Sequence, residues 1–160
     1  MKNILIRPAT ESDAPSLGRM GASLLETHYS FDQKRFMAPQ AKTAEGYAWF
    51  LNSQLDDKDS VIFVAERDGT IIGYVYARLE PRSWEELREP AGFIHDVFVE
   101  ESTRRLGVAQ LLMEAAMEWL RAKGAPRVLL GTAEHNVAAQ RLFARLGFRR
   151  TMIEMTRELE

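Results

Sequence analysis

Val99-Glu100-Glu101-Ser102-Thr103-Arg104-Arg105-Leu106-Gly107-Val108-Ala109 joins a strand pattern to a long helical one, and the reading of this junction decides the fold. Upstream, Phe93-Ile94-His95-Asp96-Val97-Phe98-Val99 is rich in β-branched and aromatic residues, as strands are. Downstream, from Gly107 to Lys123, Val108, Leu111, Leu112, Ala115 and Trp119 recur at helical spacing. Met113, Ala116 and Leu120 widen the stripe and Gly124 is a natural stop, so this helix is expected to be largely buried. The first N–H groups of a helix have no internal partner and carry the positive end of its dipole, so the junction suits a phosphate. Gly107 lets an anion approach the backbone, Ala109 keeps the next turn narrow, and Arg104 and Arg105 can neutralise a diphosphate.

Working outward, Arg127 to Thr132 reads as a strand. A short helix follows with Ala139, Leu142, Phe143 and Leu146 on one face, stopped by Gly147, and a last strand is expected from Phe148 toward Glu158. Toward the N-terminus, Ile4 and Ile6 give a strand ending at Arg7-Pro8. Thr10, Ser12 and Asp13 offer caps for a helix with Pro15 in its first turn and Leu17, Gly21, Leu24 and Leu25 on one face. Thr27 to Gln40 breaks that period, and Ala44, Tyr47, Ala48, Leu51 and Leu55 restore it. Val61 to Ala65 and Ile71 to Leu79, joined by Asp68-Gly69, predict a hairpin, and Pro81 to Pro90 a surface excursion. The order β, α, α, β, β, β, α, β, α, β predicts an α/β (α+β) fold: a mixed sheet with helices on both faces and a right-handed β-α-β crossover.

A chain of 160 residues is the length of one domain, so residues 1–160 are read as a single unit. Lys and Arg total 21 against 23 Asp and Glu, a net charge of -2 that argues against a nucleic-acid partner. With no cysteine there is no disulfide framework or thiolate nucleophile, and three histidines without ligand spacing predict no metal site. The N-terminus lacks a signal-peptide run and no apolar stretch is long enough to span a bilayer, so no membrane role and a cytoplasmic location are expected.

The Arg104-x-x-Gly107-x-Ala109 pattern after Val97-Phe98-Val99 resembles the acyl-CoA-binding motif of the GNAT superfamily of N-acyltransferases. Asn136-x-x-Ala139-x-x-x-Phe143-x-x-x-Gly147-Phe148 is similar to the family's C-terminal helix signature. The resemblance implies a single-domain fold with a mixed, mostly antiparallel sheet whose fourth and fifth strands splay apart. The pantetheine arm of acetyl-CoA, the cosubstrate, then lies in the gap against the backbones of Val97 and Val99. The loop Arg104, Arg105, Leu106, Gly107, Val108 and Ala109 holds the pyrophosphate, and a main-chain N–H near Phe98 supports the oxyanion. Asn136 contacts the cofactor arm or caps the short helix.

The implied mechanism is direct transfer to an amine of a small molecule or peptide, with a base on Ile94-His95-Asp96-Val97. Simple alternation puts His95 on the face of Val97 and Val99, so His95 and Asp96 are not expected to share a cleft, and His95 is the favoured base. The plainer readings are a hydrogen-bonded histidine and a structural carboxylate. Where the family often carries a tyrosine acid this chain has Phe143; water, another donor such as Tyr74 or Tyr76, or no acid at all would then serve. Glu26, His28, Glu85, Glu86 and Glu89 suggest an acidic rim for a cationic substrate. Two readings compete: a non-catalytic acyl-CoA-binding regulator, suggested by Phe143, and a nucleotide-binding module, disfavoured because the Gly-x-Gly-x-x-Gly fingerprint is missing. A homodimer is one assembly compatible with all of them.

Overall fold

Both residues of the Asp68-Gly69 turn have positive φ, 52° and 78°, the backbone hand that matches the twist of paired strands. They fold Ser60–Arg67 (β2) onto Thr70–Glu80 (β3), the hairpin on which the sheet is built. The computed structural model describes residues 3–160. Leu5–Pro8 (β1) pairs antiparallel with β2, and Ala91–Val99 (β4) antiparallel with β3. Val128–Leu130 (β5) lies parallel to β4, giving a five-stranded sheet in the order β1-β2-β3-β4-β5. The helices are Ala14–Phe31 (α1), Thr43–Ser53 (α2), Val108–Ala122 (α3) and Val137–Arg145 (α4). None of the described helices is long and apolar enough to cross a membrane.

The sheet separates two apolar layers. On one side Leu112, Met113, Ala116 and Leu120 of α3 pack with Val75, Ala77, Ile94 and Val99 of the sheet and Phe143 of α4. On the other, Leu17 and Met20 of α1 and Leu51 of α2 pack with Ile62, Val64, Tyr74, Tyr76 and Phe98. The buried face of α3 is turned from the expected stripe: Val108 and Leu112 are buried with Met113, Ala116 and Leu120, while Leu111 is exposed and Ala115 and Trp119 are half-buried. It sits so close to β4 that a Cβ on Gly92 would lie 2.8 Å from a Leu120 methyl.

Three expectations are corrected. α1 does not break at Thr27: it runs to Phe31, with Thr27 and His28 returning side-chain bonds to Ser23 O and Leu24 O, and ends where Asp32 accepts the N–H groups of Lys34 and Arg35. The fifth strand is Val128–Leu130 rather than Arg127 to Thr132, because β4 and β5 pair only from Gly92/Val128 to Ile94/Leu130. No sixth strand forms from Phe148 toward Glu158, since this segment meets no strand edge within its own chain.

α1 and α2 approach through glycine. A Cβ on Gly18 would lie 2.4 Å from the backbone oxygen of Ala44, which cannot move without shifting α2. Gly18→Ala is expected to destabilise the fold by about 1–3 kcal/mol. Gly46→Ala, within α2 and facing open space, is expected to stabilise it by about 0.5–1 kcal/mol through helix propensity. Paired denaturant melts check both signs.

Candidate active site

β4 carries one residue more than β3 can match. The register runs Tyr76↔Asp96 and then Ala77↔Ile94, leaving His95 as the extra residue of a β-bulge. The bulge inverts the pleat. Ile94 and Phe98, both even-numbered, consequently lie in opposite apolar layers, Ile94 with α3 and Phe98 with α1 and α2. His95 does not share the face of Val97 and Val99, as simple alternation predicts. Its ring stacks on Phe93 and Tyr76, at centroid distances of 4.5 and 5.3 Å, on the α1–α2 side. Asp96 faces that side too, accepting at Oδ2 from the hydroxyls of Tyr47 (2.5 Å) and Tyr74 (2.9 Å). His95 and Asp96 therefore reach one cleft together.

The same ladder fixes the backbone. Glu100 N–H donates to Ile72 O, so the hydrogen-bonded pairs with β3 continue at Phe98 and Asp96. The N–H and C=O groups of Val97 and Val99 point the other way, toward β5. β5 has by then left: its last paired residue is Leu130, opposite Ile94. Val97 and Val99 thus present a bare strand edge to a gap, with Val99 O accepting from Arg104 Nε at 3.3 Å. Phe98 stands differently from the expectation. Its N–H belongs to the β3 ladder and its ring is buried beside Tyr74, so the N–H groups facing the gap are those of its neighbours.

A cavity of about 70 Å³ opens at this divergence. Ile94, His95, Asp96 and Val97 form one wall, Leu130, Gly131 and Thr132 another, and Asn136, Ala139 and Phe143 of the α4 end a third. Leu24 and His28 of α1 close it from above. A larger hollow of about 470 Å³ lies at the opposite end of β4, but Arg78 on its wall is held by Asp57, Gln54 and Ser60. Asn136 caps α4, its Oδ1 accepting from Ala139 N–H at 3.2 Å, and also lines the cleft. Phe143 packs edge-on to Phe148 with its ring largely in the core.

Beyond β4 the chain makes a short 3-10 turn, Glu101–Thr103, pinned by the buried Thr103, whose hydroxyl donates to Glu100 O. Arg105 and Gly107 then take positive φ of 68° and 77° and deliver the chain to α3. A Cβ on Gly107 would meet nothing within 4 Å, so glycine is required there by its backbone conformation rather than by crowding. Arg104, Arg105, Leu106 and Gly107 are exposed, Val108 is buried and Ala109 half-buried, and α3 starts at Gly107 with no side-chain cap.

The electrostatics are set by burial. Desolvation pushes the Asp96 carboxyl above the ordinary carboxylate range, against the opposing pull of its two tyrosine hydrogen bonds. Burial and then the Asp96 charge push the Tyr74 and Tyr47 hydroxyls upward. His95 Nε2 lies 2.8 Å from Glu80 Oε1, which orients the ring. Tyr76 donates to Gln54 and so turns away from the cleft. Two glutamates of the expected acidic rim, Glu86 and Glu89, pair with Arg88 and Arg82. Sequence reading missed Tyr47, Glu80 and the wall position of His28. Tyr47 follows the helical spacing of a packing residue, and nothing local links Glu80 to His95.

Residues 24–148 match the model of the acetyltransferase (GNAT) family. An uncharacterised N-acetyltransferase of Bacillus subtilis, YhfO, is 29% identical over 89% of this chain and 88% of its own length. A mycothiol acetyltransferase of Thermomonospora curvata is 34% identical over 59% of this chain, which spans only 29% of that protein's length. Among solved structures, a mutant of the BH1408 protein from Bacillus halodurans superposes with a TM-score of 0.82 at 21% identity, covering 98% of this chain and 99% of that one. The aminoglycoside N-acetyltransferase AAC(6')-Iy in complex with CoA superposes at 0.77 with 19% identity, over 99% of this chain and 96% of that one. Splayed strands, an arginine- and glycine-bearing loop at the start of α3 and a family match across most of its length make this chain a member of the acetyltransferase (GNAT) family.

Proposed function

We propose that the protein transfers the acetyl group of acetyl-CoA to a primary amine of a small molecule or peptide. One observation carries this reading: Val97 and Val99 turn their backbone toward the gap where β5 has ended, and β4 leads from there through the exposed Arg104–Gly107 loop to the start of α3. An extended arm bearing amides can pair with that edge as a strand would, while its diphosphate meets the α3 N-terminus, Arg104 and Arg105. Asn136 and Ala139 flank the arm on the α4 side. The thioester carbonyl then sits by the gap-facing N–H groups of Val97 and Val99, which stabilise the oxyanion.

The amine enters from the α1–α2 side, where Asp96 presents a carboxyl held by Tyr47 and Tyr74, and Phe93 and His95 stack as an aromatic wall. With Nε2–H directed at Glu80, His95 keeps Nδ1 as an acceptor and takes the amine proton. Nitrogen attacks the carbonyl carbon, the C–S bond breaks, and the departing sulfur recovers a proton from the imidazolium or from water. Phe143 needs no acid to replace it under this scheme, since a CoA thiolate is a tolerable leaving group. A cysteine-free chain agrees with transfer in one step, there being no thiol for an acyl-enzyme.

Thiol release from acetyl-CoA across a panel of amines tests the activity, and a thermal shift tests the cosubstrate. CoA at a hundredfold excess over its dissociation constant is expected to stabilise the fold by about 2.7 kcal/mol. Gly107→Val, forcing a β-branched residue into positive φ at the loop, is expected to abolish that shift. An unshifted melt of the natural chain at millimolar CoA would sink the reading.

Asp96→Asn separates charge from shape. The folded state holds the Asp96 proton more tightly than the unfolded chain does, so the aspartate favours folding in acid and loses that contribution as pH rises through its raised value. The asparagine variant is therefore expected to melt with the natural chain near about pH 4 and above it near about pH 7, while its kcat/KM falls at least about tenfold. Equal melting temperatures at both pH values would show that Asp96 carries no burial penalty.

A further inference from the structure

Acetyl transfer to an ammonium ion releases one proton more than His95 and sulfur account for. A primary aliphatic amine arrives near neutrality as R–NH3+, with no lone pair to offer, and the products are an amide N–H and a thiol. Two protons must therefore leave nitrogen. Sulfur keeps one, which His95 can carry, and the other must reach solvent before nitrogen attacks. A single imidazole holds only one at a time.

α1 runs on to Phe31 and so carries a second imidazole, His28, to the cavity that His95 and Asp96 line. His28 Nδ1 lies 2.8 Å from Leu24 O. A carbonyl oxygen only accepts, so Nδ1 holds the ring proton and Nε2 is left with the lone pair. Among the described residues Nε2 has no hydrogen-bond partner, and the side chain is half-buried, open in part to solvent. Phe31 and Phe36 stand edge-on to the ring, at centroid distances of 5.8 and 5.1 Å, and hold its plane. At His95 the assignment is reversed: Nε2 faces Glu80, and Nδ1 is the acceptor.

The charged groups around His28 leave Nε2 open. Asp96 of β4 is within electrostatic reach: desolvation raises its carboxyl, and its two tyrosine bonds and then charge on His95 and on His28 draw it down. The others are committed elsewhere. Asp32, one turn on from His28, accepts from the backbone of Lys34 and Arg35. Arg35 lies over the Phe36 ring and pairs with Glu154. Tyr47 of α2 and Tyr74 of β3 donate to Asp96. From the β5 and α4 walls come Thr132, Asn136, Ala139 and Phe143, none of them charged.

We propose that His28 is a second catalytic residue, which takes the first proton of the ammonium at Nε2 and passes it to solvent, leaving His95 free for the second; this role rests on the acetyl transfer proposed above. In the first step an N–H bond of R–NH3+ breaks and an Nε2–H bond forms, giving R–NH2 and an imidazolium that keeps its Nδ1–H on Leu24 O. The amine then attacks the carbonyl carbon, and the adduct gives its second proton to His95 Nδ1. The C–S bond breaks with its electron pair on sulfur, which takes that proton from His95. The sum is an amide, a thiol and one proton released. Two acceptors are needed only for an amine that is charged at neutral pH, so the substrate class is a basic aliphatic amine rather than an aromatic one.

The test is thiol release from acetyl-CoA as a function of pH, with spermidine, kanamycin, L-lysine and a tripeptide with a free N-terminus as acceptors, on the natural chain, His28→Gln and His28→Phe. With the best of these acceptors, kcat/KM of the natural chain is expected to level off just above neutrality. In both variants only the uncharged amine reacts, so kcat/KM is expected to be at least about tenfold lower at about pH 7 and to keep rising toward the amine's own ionisation, closing the gap. His28→Phe keeps a ring against Phe31 and Phe36, and a loss through packing alone would lower the rate equally at every pH. Nitrogen-15 NMR of the histidine-labelled natural chain, without substrate, is expected to show the Nδ1–H tautomer at His28 and the Nε2–H tautomer at His95. An Nε2–H tautomer at His28, or variants whose deficit is absent or the same at every pH, would overturn the role of His28 and leave acetyl transfer standing. No thiol release from the natural chain with any acceptor would overturn acetyl transfer itself, and the role of His28 with it.

Discussion

A single extra residue in β4 sets the chemistry of the cleft. Opposite Tyr76 and Ala77 the strand carries Ile94, His95 and Asp96, three residues against two, and the pleat turns over at that point. Three consequences follow from the one insertion. His95 and Asp96, adjacent in sequence, come to the same face. Ile94 remains in the α3 layer while Phe98 joins the α1–α2 layer. The backbones of Val97 and Val99 end up aimed at β5 where β5 no longer runs alongside.

The divergence of β4 and β5 needs a rigid base, because an open strand edge in a small sheet invites collapse. α3 supplies it. Val108, Leu112, Met113, Ala116 and Leu120 are all essentially inaccessible, and each of the four larger side chains contributes about 1.5–3 kcal/mol. The helix is thereby held against β3 and β4 with its N-terminus at the mouth of the gap, while the loop ahead of it stays exposed. Stability is concentrated in the helix body and exposure in the loop ahead of its first turn, a division that lets the loop stay open without loosening the fold.

Asp96 shows how the two layers cooperate. Its charge is disfavoured by burial, and what holds it is a pair of hydroxyls from different elements, Tyr74 of β3 and Tyr47 of α2. Tyr47 is in turn seated over Gly21, where a Cβ would lie 2.2 Å from the ring. The close approach of α1 and α2, permitted by glycine, is thus what brings the hydroxyl to the carboxylate.

The sequence by itself determined the elements whose signal is local. The α3 stripe, the Asp68-Gly69 hairpin, the Arg104 to Ala109 loop and the cap at Asn136 depend on neighbours within a turn or two, and periodicity and capping chemistry reveal such neighbours. Tertiary structure decided the rest. A bulge depends on the count of residues in the facing strand, so the face of His95 was invisible in β4 alone. Tyr47 reaches Asp96 across 49 positions, and Glu80 reaches His95 across 15, distances over which spacing carries no information. Phe148 to Glu158 reads as a strand, but a strand exists only where an edge receives it. Alternation specifies what a segment can bury, and the sheet, through the edges it leaves open, decides where.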